Sequence, residues 1–199
     1  MTERKDDVVI PNKKEFIFSS DWSSQLRETW PLHVLPYLDC SKALHWLEIG
    51  SFEGRSALWA IENMLQHPDS TIVCVDTWDV WPKYDTRCNF KYEESFDHNT
   101  SGIRGLSKRK GRSSLVLPTL KPRSFHGCYI DGSHDKPDVL SDAHLVLPLM
   151  LPGAIVVFDD YQWPNGDGVR SAVDELMVEW KSMVDVLHVG YQVVFRVRP

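Results

Sequence analysis

The chain has 199 residues and a formal net charge of −6, with 42 % hydrophobic and 25 % charged residues. That length supports one domain with a full core, and the mild acidity gives no support to a nucleic-acid partner, which favours a basic surface. The cysteines (Cys40, Cys74, Cys88, Cys128) form no CxxC pair, no stretch approaches the roughly 18 apolar residues of a membrane span, and the charged start, Met1 to Asp7, does not read as a signal peptide. The expectation is a soluble cytoplasmic protein without a nucleic-acid or membrane partner.

In chain order, residues 1–22 are polar and irregular and read as an N-terminal arm, leaving residues 23–199 as the domain. SSQLRETWPLHVLPYL, 23–38, has apolar residues at helical spacing, but Pro31 and Pro36 break or kink it. ALHWLEIG reads as a buried strand, 55–66 as a helix, and TIVCVD, 71–76, as a second strand. Residues 77–106, rich in Trp, Tyr, Asp and Asn, read as a long insertion or lid, since loops of that length in a compact domain are usually functional. A strand is due near 107–112, yet Lys108, Arg109, Lys110 and Arg112 make a basic run poor in β-formers, which reads as a solvated loop. GCYID, 127–131, is a strand, 138–150 a helix, GAIVVFDD, 153–160, a strand, and 167–183 a helix. VDVLHVGYQVVFRV ends the chain as two strands around Gly190. Near-continuous apolar strands alternating with helices imply a parallel sheet covered on both faces. The short final connection requires an antiparallel pair. The expected fold is therefore α/β: a Rossmann-like three-layer sandwich with a seven-stranded mixed sheet and an antiparallel C-terminal strand.

In an open α/β sheet, ligands bind beyond the carboxyl ends of the strands. Glu48 with Gly50, Asp76, Asp131, and the pair Asp159-Asp160 all fall at such ends. Each alone reads equally as a turn residue or helix cap; their coincidence is the argument for a site. In LEIGSFEGRS, 47–56, the glycines are spaced GxxxG, without the middle glycine of a dinucleotide loop, and Glu53 is an anion where a phosphate would sit. A ligand without phosphate fits better. Glu48 favours a cationic group, and Asp76 at the end of the second strand can accept both hydroxyls of a ribose, with Trp78 or an apolar neighbour against a base. A nucleoside with a positive group and no phosphate describes S-adenosylmethionine (SAM).

LEIGSFEGRS, VDTW and YIDGSHDKPDVLSDAHLVLPLMLPGAIVVFDDYQW resemble the class I SAM-dependent methyltransferases, most closely the sugar and macrolide O-methyltransferases and the cephalosporin-hydroxylase-like proteins. The resemblance implies that Glu48, Gly50, Ser51, Gly54 and Ser56 line the methionine part of SAM and that Asp76, Thr77 and Trp78 serve its nucleoside. KGRSSLVLPTL, 110–120, is similar to the family's G-x-S-x-x-x-L-P-x-L, so that Gly111, Arg112 and Ser113 would border the adenine. Asp131 would lie at the end of the fourth strand over the sulfonium; His134 beside it is a natural general base, since imidazole titrates near neutrality, and Asp131 and His134 are the candidate catalytic residues. His134 reads equally as a hydrogen-bonded loop residue, and Ser133 stands where sugar-methylating relatives have an acid. The resemblance also implies a Mg2+ site at Asp131, Asp159 and Asp160, whose mutual repulsion calls for a cation. Asn99 resembles a family asparagine able to reach the site, and Tyr161 and Trp163 either wall an acceptor pocket or pack. The implied activity is metal-assisted O-methylation of a small-molecule hydroxyl, with homo-oligomerisation open. A metal-independent methyltransferase of another nucleophile and a non-catalytic SAM-binding protein are the alternatives.

Overall fold

The computed structural model describes residues 15–79 and 91–199. Much of the insertion expected over 77–106, residues 80–90, lies outside them. Five parallel strands come first: β1 (His45–Ile49), β2 (Thr71–Asp76), β3 (Leu106–Lys110), β4 (Phe125–Ile130) and β5 (Met150–Phe158). A closing hairpin adds β6 (Val184–Val189) and β7 (Val193–Val197). The sheet order is β3-β2-β1-β4-β5-β7-β6. β7 inserts between β5 and β6 and runs antiparallel to both, so a single strand of the sheet is reversed.

Helices cover both faces. α1 (Ser24–His33), α2 (Arg55–Asn63) and α3 (Tyr92–Thr100) lie on one side, where Trp30, Ala57, Ile61 and Phe96 pack against Trp46, Cys74, Tyr129 and Val157. The short α4 (Ser113–Val116), α5 (Lys136–Val146) and α6 (Gly168–Glu179) lie on the other, where Val139, Ala143, Leu176 and Trp180 meet Leu47, Cys128, Val156 and Phe195. Neighbours along β1 alternate between the two cores, as the two-residue period of a strand requires. Glu48 consequently faces the α2 side with Trp46, and Leu47 and Ile49 face the other. Pro31 lies in the last turn of α1 and Pro36 opens a separate 3-10 turn, Leu35–Tyr37, so the expected broken helix is present.

Two elements differ from the sequence reading. The basic run is a strand: β3 pairs in register with β2 from Leu106 to Lys110. It is the sheet's edge, where burial does not decide residue type and lysines guard against edge-to-edge pairing. The second difference is α3, inside the stretch read as an insertion. Its Glu93 takes Lys108 at 2.7 Å and also pairs with Lys110, while Asp97 takes Lys108 at 2.6 Å. The β3 cations thus hold α3 to the sheet edge.

Candidate active site

The loop after β1 shows what its two glycines admit. Gly50 has φ +86°, and a Cβ on it would lie 1.8 Å from the carbonyl oxygen of Asp131. The close approach is to the protein's own backbone: Gly50 N–H donates to Val75 O at 2.8 Å and Asp131 N–H to Ile49 O at 2.9 Å. The glycine therefore lets the ends of β1, β2 and β4 converge. Gly54, φ +82°, caps α2 in the left-handed conformation against Phe96 and Thr100 of α3.

Glu48 is 1 % exposed, and its Oε2 has no hydrogen-bond partner; neither has the buried Ser51 Oγ beside it. Burial pushes the Glu48 carboxyl up to about 7, against the opposing effect of Ser56, Ser51 and Cys74. An acid in this position is one that a cationic, hydrogen-bond-donating ligand would pair. Asp76 accepts Phe52 N–H on Oδ2 at 2.8 Å and Trp78 N–H on Oδ1 at 2.7 Å, and burial raises its carboxyl. It stitches the loop after β1 to the loop after β2. Trp78 turns inward: its indole N–H donates to Phe52 O at 2.7 Å and its ring packs on Phe96, 4.8 Å between centroids. Thr77 Oγ1 accepts Asp79 N–H at 3.2 Å. Gly111 N–H donates to Asp76 O at 2.8 Å, bringing the Gly111–Ser113 loop to the same edge; Arg112 there is exposed, and the Ser113 hydroxyl acts to lower the carboxyl of Asp142 in α5. Asp142 is buried, which raises its carboxyl to about 6, and nothing in the sequence reading singled it out.

Beyond β4 and β5 lies a second cluster. Ligand atoms of Asp131, His134 and Asp160 all lie within 4.8 Å of one another. His134 Nε2 is 2.9 Å from Asp160 Oδ2, and the imidazole packs edge-on against Trp163 at 4.5 Å. Burial and the neighbouring charges of Asp159 and Asp160 push the Asp131 carboxyl well up. Asp159 is turned away from this trio: Tyr129 Oη donates to its Oδ2, and Gln192 Nε2 donates to its Oδ1 at 3.1 Å. Trp30 Nε1 in turn donates to Gln192 Oε1 at 3.1 Å, extending the buried chain. The structure thus gathers His134, in place of Asp159, with Asp131 and Asp160. Two carboxylates and an imidazole are a donor set that fits a divalent cation. Asp160 itself has φ +56°, and Phe52 (+47°) and Trp78 (+51°) share the left-handed region. Such outliers concentrate where a site over-determines the backbone.

Asn99 is buried and serves the N-terminal segment. Its amide accepts Ile17 N–H at 2.8 Å and donates to Ile17 O at 2.8 Å and Glu53 O at 2.9 Å. Glu53 receives Ser19 N–H at 2.8 Å. The anion that argued against a phosphate ligand therefore anchors the arm over the glycine loop. Gln192 and Tyr191, both in the β6–β7 turn and both bonded to the β5-end aspartates, were also absent from the sequence reading; the polar GYQ break between two apolar strands was the available signal.

The Methyltransferase domain family matches residues 47–161, more than half of the chain. No curated protein matches the sequence significantly. Among solved structures, the O-methyltransferase TomG from Streptomyces achromogenes, in complex with SAM, is 25 % identical, with a TM-score of 0.63 over 87 % of this chain and 80 % of that one. An O-methyltransferase from Bacillus cereus in complex with SAH is 18 % identical, with a TM-score of 0.61 over 86 % and 81 %. MycE, solved with Mg and SAH, is 16 % identical, with a TM-score of 0.58 over 86 % of this chain and 49 % of MycE. The last two likenesses concern the fold alone. With the fold, the β1 glycine loop and the acids at successive strand ends in place, the chain belongs to the methyltransferase domain family.

Proposed function

We propose that this protein transfers a methyl group from SAM to a hydroxyl oxygen of a small molecule, with a divalent cation held by Asp131, His134 and Asp160. The observation that carries the reading is one sheet edge bearing two unlike halves: a buried polar set at Glu48, Ser51 and Asp76, and an acidic cluster with a histidine one strand further on. The unpartnered Glu48 Oε2 and Ser51 Oγ suit the polar end of an amino-acid-bearing nucleoside; Asp76 suits its ribose, and Gly111, Arg112 and Ser113 border the base. Trp78 and Thr77 would shape that half through packing and backbone position. SAM supplies an activated methyl on a positive sulfur; a divalent cation supplies charge that lowers the pKa of a bound hydroxyl.

The chain's own residues do the rest. Glu48, Ser51, Ser56 and Asp76 orient the donor, and convergence of the β1 and β4 ends at Gly50 sets it against the acceptor half, so that transfer is chiefly a matter of positioning. In the in-line displacement the acceptor O–C bond forms as the S–C bond breaks, the acceptor proton is lost, and S-adenosylhomocysteine leaves. In this reading the His134 imidazole, 2.9 Å from Asp160, is taken up by the cation, and the acceptor proton passes to solvent. The same 2.9 Å contact supports a second reading, a metal-independent His134–Asp160 pair. Retention of full activity after chelation would select it.

The first test is calorimetric titration with SAM. Asp76→Ala, which loses a carboxylate bonded to two backbone N–H groups, is expected to weaken binding about 10- to 100-fold. Absence of SAM binding by the unaltered protein would overturn the reading.

A further inference from the structure

We propose that Tyr191, in the turn between β6 and β7, is a positioning residue for the acceptor half of the site: its phenol locks the Asp160 carboxylate so that one oxygen faces the cluster with Asp131 and His134. The inference rests on the cation reading above and adds a residue outside the family match, which ends at 161.

Asp160 divides its two oxygens between two partners. Tyr191 Oη donates to Oδ1 at 2.5 Å, and Oδ2 lies 2.9 Å from His134 Nε2. A terminal carboxylate rotates in a broad well about its last torsion, so without an outer partner it holds no fixed direction. A hydrogen bond from outside the ligand set removes that freedom, and loss of such partners typically costs about 10- to 100-fold in metal affinity or activity. The turn that carries Tyr191 is itself tied to the cluster. Tyr191 O accepts Tyr161 N–H at 2.9 Å, and Asp160 O accepts Trp163 N–H at 3.0 Å. The neighbouring Gln192 holds Asp159. Adjacent residues of one turn thus address adjacent aspartates: Gln192 holds Asp159 in the core, and Tyr191 holds Asp160 beside Asp131 and His134. Asp160 itself has a left-handed backbone, φ +56°.

The test uses Tyr191→Phe, which keeps the ring and removes only the hydroxyl. Mn2+ binding is followed by electron paramagnetic resonance, and SAM binding by calorimetry on the same preparations. The expected result is Mn2+ affinity at least about tenfold weaker with SAM affinity unchanged, because Glu48 and Asp76 do not depend on Tyr191. Equal Mn2+ affinity in variant and unaltered protein would overturn the positioning role and leave the cation site standing. A parallel loss of SAM binding would assign Tyr191 to the fold and overturn the proposal. If the unaltered protein binds no Mn2+, the cation reading falls and takes this proposal with it.

Discussion

At the scale of single residues, Gly50 and Glu48 show how differently two neighbours can be constrained. A Cβ at position 50 would stand 1.8 Å from Asp131 O and at a φ of +86°. Overpacking and left-handed strain together place Gly50→Ala about 2–5 kcal/mol below the unaltered protein, roughly 4–20 °C in melting temperature. Scanning calorimetry measures this directly, and an unchanged melting temperature would show that the β1 and β4 ends do not meet. Glu48 is constrained by burial. Its carboxyl rises from 4.5 to about 7, so the folded state binds the proton more tightly than the unfolded chain. Its contribution to stability is full below about pH 4.5 and is lost as pH rises through about 7, on the order of 3 kcal/mol in all. Glu48→Gln stays neutral at every pH. Its melting temperature should therefore fall less steeply across that window than that of the unaltered protein without SAM.

Among the elements, α3 and the arm meet at the glycine loop after β1. Asn99 joins Ile17 of the arm to Glu53 of the glycine loop through three hydrogen bonds, and Phe18 stacks under the Arg55 guanidinium at 3.9 Å. Replacing a buried amide of this kind leaves its partners unpaired, at a cost of about 2–3 kcal/mol. Asn99→Ala is expected to raise amide hydrogen exchange at Ile17 and Ser19 while the central strands β1 and β4 stay protected. Equal protection in the arm would show that Asn99 does not hold it. Neither contact was legible in the sequence. A polar residue on a helix inside a read insertion carries no mark of a partner some 82 positions away.

For the whole molecule the dominant electrostatic fact is acid collected at one sheet edge. Burial and mutual repulsion raise Asp131 and Asp159, the latter to about 6, as burial raises Asp142. A bound cation relieves that repulsion. Mg2+ at about a hundredfold excess over its dissociation constant should raise the melting temperature by roughly 5–10 °C, and by more as pH rises and the carboxylates ionise. A melting temperature indifferent to Mg2+ at every pH would leave the cluster without a cation.

The sequence by itself determined the architecture and the sheet edge at which the candidate site's acids gather. Strand and helix periodicities differ, so the alternation of apolar strands with helices dictated a covered parallel sheet, and the short connection at Gly190 dictated a reversed strand. The acids at strand ends were legible for the same reason: strand polarity puts every carboxyl end on one edge. Tertiary structure alone decided which acids meet. Asp159 and Asp160 are adjacent in sequence, yet one is drawn into the core by Tyr129 and Gln192 and the other meets Tyr191 and His134. It also decided that Glu53 serves the arm and that the basic run is an edge strand. These outcomes depend on partners brought together from distant parts of the chain, and local residue pattern holds no record of them.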